Sequence, residues 1–160
     1  MMLFAQGLAP ALRRTAAAFA VAAILAPLAA LGDESKLILH TATGDYSFNV
    51  DVVDTPESRA KGLMFVTELA DDAGMLFDFG EERPVSFWMR NTFIPLDMIF
   101  VGADGVVRNV HVNARPQDPT SIPSDGPVQY VLEIPGGRSV EIGLTAGDRM
   151  EHDRIAAPKD

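Results

Sequence analysis

Five side chains in this sequence stand where chemistry could be done. Trp88, Asn91 and Asp97 lie in the stretch SFWMRNTFIPLDMIF of residues 86–100, Arg59 lies upstream and Glu133 downstream. The stretch holds the only tryptophan, and Arg90, Asn91, Thr92 and Asp97 cut its apolar run. Asp97 sits between Leu96 and Met98 in strand-like sequence, so it turns to the face opposite those two and shares it with Ile99. A desolvated carboxylate must be hydrogen-bonded or paired, because an isolated buried charge is too costly. Two readings follow. In one, Asp97 pins the turn structurally, through Asn91 or an arginine such as Arg59 or Arg90, as buried polar groups are generally satisfied ones. In the other, Trp88 floors a ligand pocket rimmed by Asn91 and Asp97, its indole a flat platform for a sugar or other planar face.

Glu133 interrupts a second apolar run, VLEI. If it converged with Asp97, one carboxyl could stay protonated while the other stayed charged, as general acid–base hydrolysis requires. The two would have to stand within roughly 5–10 Å across a cleft, and opposite faces would end the idea. The plainer reading makes Glu133 an exposed or arginine-paired edge residue. His40, His111 and His152 are too scattered for a structural zinc site. Soft copper(I) could use Met64, Met75, Met89 and Met98 with Trp88 and His111, although each methionine lies in an apolar run where packing explains it. There is no cysteine, no GxSxG elbow and no glycine-rich phosphate loop, so no thiol chemistry and no cofactor is expected.

The elements that must position these groups are mostly strands. Residues 37–40 read as a strand, and in residues 46–53 Tyr46, Phe48, Val50 and Val52 alternate with polar residues at the period of a half-buried strand. Thr55, Pro56 and Glu57 then open a short helix near 56–63, with Thr55 as N-cap and Pro56 at the first helical position. Further strands are expected at residues 75–79, 85–89, 96–101, 106–112, 128–134 and 149–150, with a solvated loop at 81–84, a polar break at 91–95 and a hairpin turn at Ala103-Asp104-Gly105. A helical turn fits residues 139–144. Four prolines in residues 114–127 mark a long loop that could close over a site.

Residues 1–32 differ in kind from the rest. They contain no acid, and Arg13-Arg14 precede a 17-residue apolar run with small residues at its end, the pattern of a cleaved export signal. The part beyond it carries 11 basic against 22 acidic residues, a formal charge of −11. Such a domain repels nucleic acid and anionic lipid. Expected, then, is an exported periplasmic or extracellular monomer with no stable membrane insertion once the signal is removed. Residues 156–160 read as a disordered tail.

The segments AKGLMF (60–65), AGMLFDF (73–79), SFWMRNTFIPLDMIF (86–100), VLEIPGG (131–137) and GDRM (147–150) resemble the domain-of-unknown-function family 192, DUF192, in order and over nearly the whole part beyond the leader. The resemblance implies a small β-rich domain, frequently behind an export signal, and brings no reaction, substrate or cofactor. With the residue patterns, it leads us to expect a mainly β (β-rich α+β), barrel-like antiparallel domain over residues 33–155. Its leading function is a non-enzymatic module binding a small molecule or an envelope protein. A carboxylate-dependent hydrolase of an envelope glycan or polymer is the alternative, and periplasmic copper(I) binding the third.

Overall fold

The computed structural model describes residues 34–155. The leader expected over residues 1–32 and the tail expected at 156–160 lie outside them. The described chain runs β1 (Lys36–Thr41), β2 (Gly44–Val53), α1 (Pro56–Lys61), β3 (Ala73–Arg83), β4 (Ser86–Phe87), β5 (Leu96–Val101), β6 (Val107–Ala114), β7 (Ile122–Pro123), β8 (Val128–Pro135), α2 (Arg138–Glu141) and β9 (Arg149–His152). Seven strands form one sheet in the order β6-β5-β8-β3-β2-β1-β9, and β4 pairs with β7 in a small second sheet.

The large sheet curls until its two edges meet at one end. Val106, just before β6, bridges Arg149 of β9, and Met150 N donates to the Gly105 carbonyl at 2.8 Å. This closure makes a half-barrel whose interior takes side chains from every strand of the sheet: Leu39, Phe48, Leu76, Ile99, Val107, Leu132 and Met150 belong to one buried cluster. Where the edges meet, these contacts satisfy backbone groups that an open edge would expose. The mainly β, barrel-like expectation therefore holds, with one difference in strand direction. β2 and β3 run parallel, because the chain between them crosses over through α1 instead of turning back in a hairpin.

α1 forms where its capping signals lie. The Thr55 hydroxyl accepts from Ser58 N at 3.1 Å while the Ser58 hydroxyl accepts from Thr55 N at 3.1 Å, a reciprocal box that satisfies both donors. Gly62 ends the helix at φ 46°, a conformation side chains rarely adopt, and a Cβ there would press tightly on the Phe77 ring at 3.1 Å. β3 continues through Arg83 and absorbs most of the loop expected at 81–84. It is then only two residues, Ser86 and Phe87, that pair as β4 in the region where a longer strand was expected.

The sheet's outer face carries a second buried cluster: Phe77 of β3, Leu96, Met98 and Phe100 of β5, Val131 of β8, and Leu63, Met89 and Ile122 from the chain that covers them. The cover is residues 60–66, the β4–β7 pair and the turn at 89–93. The proline-rich segment 114–127 is stitched to the central stretch along its length, through Gln117 N to Thr92 O at 3.0 Å, Met89 N to Asp118 O at 2.9 Å and Ser124 N to Val85 O at 2.9 Å. It is therefore a fixed backing rather than the lid expected of it.

Candidate functional site

Alternation along β5 and β8 decides where the two buried carboxyls go. Asp97 stands opposite Ile134, and Met98 opposite Glu133, in the antiparallel register of these strands. Cross-strand partners share a face, and neighbours along a strand do not. Asp97 accordingly turns inward with Ile99 and Ile134, while Glu133 turns outward with Met98 and Val131. The pair expected to serve as acid and base lies on opposite faces of one sheet, and no paired-carboxylate hydrolysis can run between them.

Asp97 is fully buried and completely engaged. One carboxylate oxygen accepts from Asn113 N at 2.6 Å and Gly137 N at 2.8 Å; the other accepts from Ser139 N at 2.7 Å and from the Ser139 hydroxyl. α2 has no side-chain cap of its own, so Asp97 supplies one from across the sheet and ties β5, the end of β6 and the 136–139 turn together. Asp97 makes structural bonds, but it holds the 136–139 turn and the end of β6 and not the 91–95 turn, and its partners are these amides and the Ser139 hydroxyl, not Asn91, Arg59 or Arg90. Arg59 instead donates to the backbone carbonyls of Asp54 and Asp78, the latter at 2.7 Å, and lies over the Phe79 ring at 5.0 Å.

Glu133 is the opposite case. It is only 5 % exposed and is neither at an edge nor arginine-paired; its backbone pairs with β3 and β5, but its carboxyl makes no hydrogen bond to another described residue and keeps a narrow opening to solvent. Burial alone pushes its carboxyl from the ordinary 4.5 up to about 8, so the group is protonated at neutral pH. Met75 of β3 and Met98 of β5 flank it in register. A carboxyl this far desolvated without a protein partner is uncommon and costly, even with that narrow opening.

Glu133 faces a cleft. A cavity of about 260 Å³ opens over Glu133, between α1 with residues 62–64 on one side and β4 with Trp88 on the other. Phe77, Phe79, Phe87 and Trp88 line it, and Thr92 joins Glu133 as a second buried polar residue facing it. The phenyl rings brace one another edge to face: Phe87 meets Phe77 at 5.0 Å, Phe79 at 6.3 Å and Phe100 at 6.1 Å between centroids. Trp88 is half exposed, which places it at the mouth rather than the floor, with the Arg90 guanidinium over its ring at 4.8 Å.

Of the five residues singled out from the sequence, Trp88, Arg59 and Glu133 converge on this cleft, and Asn91 and Asp97 do not line it. Asn91 sits behind the wall. At φ 60° it accepts from Phe65 N at 2.9 Å through its carbonyl, and its side-chain amide reaches the Met64 sulfur at 3.9 Å. It thereby ties the Met64 wall to the turn that carries Thr92. Sequence reasoning passed over Thr92, Phe79, Phe87, Lys61 and Met64 as lining residues. The aromatic spacing FDF at 77–79 was the available signal, because Phe77 and Phe79 share a face of β3. Of the methionines and histidine considered for copper(I), Met64 alone lines the cleft; Met89 and Met98 are buried in the outer core and His111 is exposed. No cluster of three or more His, Asp or Glu suited to a metal ion occurs among the described residues.

Comparison with known proteins places this geometry in context. The family described as DUF192, "Uncharacterized ACR", matches residues 38–152. A crystal structure from Sinorhizobium meliloti 1021, described as a candidate transcription regulator, is 44 % identical and covers 75 % of this chain and 94 % of its own, with a TM-score of 0.73. A protein of unknown function from Novosphingobium aromaticivorans DSM 12444 is also 44 % identical, covering 72 % of this chain and 83 % of its own at a TM-score of 0.71. No curated protein matches the chain.

Proposed function

This chain belongs to the DUF192 family, and we propose from that premise that it is a non-enzymatic binding module that takes a small, ring-containing molecule into the cleft over Glu133. One observation carries the reading: a buried carboxyl without a protein partner faces an aromatic-walled cavity. Leaving it there costs stability, and a bound hydroxyl or carbonyl would supply the missing partner. Phe79, Phe87 and Trp88 offer flat apolar contact, and Thr92 a second polar point. About 260 Å³ is near the small end of ligand sites, enough for one or two rings.

The export pattern of residues 1–32 supports placing this activity in the periplasm or outside the cell, with the domain acting as a monomer or on an envelope protein. Regulation of transcription, the description attached to the S. meliloti structure, is not adopted, because 22 acidic against 13 basic residues disfavour a phosphate backbone.

Trp88 is the sole tryptophan, so its fluorescence reports on the cleft directly. Titration with a fragment library of monocyclic and bicyclic compounds should shift its emission, and Glu133→Leu should abolish the shift while leaving the fold intact by circular dichroism. Binding that survives Glu133→Leu unchanged would refute the reading.

A further inference from the structure

Basic side chains gather at the cleft. Lys61 and Arg59 line it, Arg59 and Arg83 both lie over the Phe79 ring at 5.0 Å, and Arg90 lies over Trp88. None of these four forms an ion pair with a carboxylate among the described residues; Lys36, Arg115 and Arg149 form none either, and Arg108, Arg138 and Arg154 do. Two basic side chains thus line the cavity, and two more, Arg83 and Arg90, lie over the Phe79 and Trp88 rings that line it. Stacking fixes Arg83 and Arg90 with their in-plane donors open, while Arg59 commits one guanidinium nitrogen to the Asp54 and Asp78 carbonyls and keeps the other free among the described residues. Asp54 lies near Arg59 but is committed to Arg154 at 2.8 Å.

We infer that the ligand of this cleft is a small ring compound bearing one oxyanion, a carboxylate or phosphate ester, with its ring against Phe79, Phe87 and Trp88, its anion at the basic mouth, and a hydroxyl or carbonyl reaching Glu133. The inference rests on the binding function proposed above and narrows its ligand class. The protonation state of Glu133 fits this polarity. A neutral carboxyl at the base does not repel an anion, and it can donate a hydrogen bond to the ligand's far end. The basic mouth also selects against cations, which would otherwise be drawn to a buried carboxylate and an aromatic wall.

Four probes with one scaffold separate the possibilities: 4-hydroxybenzoate, 4-hydroxyphenyl phosphate, 4-hydroxybenzyl alcohol and 4-hydroxybenzylamine, followed by Trp88 fluorescence and by chemical-shift changes at cleft residues up to millimolar concentration. Expected is tighter binding of the carboxylate or the phosphate than of the alcohol, with the amine weakest; which anion leads tells the two apart. Lys61→Gln and Arg90→Gln, both at exposed positions, should each weaken the anion roughly two- to fivefold and leave the alcohol nearly unchanged. Added salt should act on the anion alone. An alcohol or amine that binds as tightly as the anions in the same cleft overturns this inference and leaves the binding function standing. If no probe perturbs the cleft, both fall.

Discussion

Replacing Glu133 by glutamine tests the physical core of the site without any ligand. A carboxyl that titrates at about 8 when folded and at 4.5 when unfolded binds its proton more tightly in the native state. Below pH 4.5 both states are protonated and the group contributes nothing to the pH dependence. Between 4.5 and about 8 the unfolded chain ionises first, so stability is lost as pH rises, at about 1.4 kcal/mol per pH unit. The whole interval amounts to about 5 kcal/mol, and the stretch from pH 5 to pH 8 to about 3–4 kcal/mol. That is a large share of the roughly 5–15 kcal/mol that holds a domain together. Glutamine keeps the shape and cannot ionise. Urea unfolding of both proteins at half-unit steps from pH 5 to 8.5 should therefore show curves that nearly coincide at pH 5 and separate steadily, with Glu133→Gln the more stable at pH 8 by about 2–4 kcal/mol once water entering by the cleft is allowed for. His40, raised above its ordinary value mainly by its hydrogen bond to Asp45, loses stability in the same direction, but it is common to both proteins and cancels in the difference. A gap that stays constant across the pH range, or a glutamine variant less stable at pH 8, would refute the claim that Glu133 is buried without a partner.

Asp97→Ala should be strongly destabilising, by about 3–5 kcal/mol, because it strands three backbone amides and the Ser139 hydroxyl; thermal unfolding checks it, and a loss under about 1 kcal/mol would contradict the capping role. Gly74→Ala places a Cβ 2.7 Å from the Glu133 carbonyl oxygen in the neighbouring strand and should cost about 1–3 kcal/mol in the same assay. Asn91→Ala removes a residue suited to φ 60° and the amide behind Met64, so probe affinity should fall through a displaced wall while Trp88 remains responsive. Raising pH through 8 should weaken 4-hydroxybenzoate binding in the wild type, as Glu133 ionises beneath the anion, and should leave Glu133→Gln binding flat.

The fold was legible wherever local chemistry decides. The alternation of Tyr46, Phe48, Val50 and Val52, the Thr55-Pro56 helix start and the turn at 103–105 all mark elements that form as read, because backbone preference and a one-sided core act over a few residues. Even the opposed directions of Asp97 and its neighbours Leu96 and Met98 follow from strand alternation alone. What the sequence could not carry was which strands become neighbours. Asp97 and Glu133 look equivalent as acids in apolar runs; only the β5–β8 register sends one inward to the amides of Asn113, Gly137 and Ser139 and the other outward beneath an aromatic cleft. Hydrogen-bond satisfaction depends on groups 16 to 42 residues away in the chain, and desolvation depends on what the whole sheet and its cover exclude. The sequence by itself determined the β-rich domain and the residues that could matter. Tertiary structure decided that Asp97 holds the fold and that Glu133, left without a partner for its carboxyl, faces the candidate cleft.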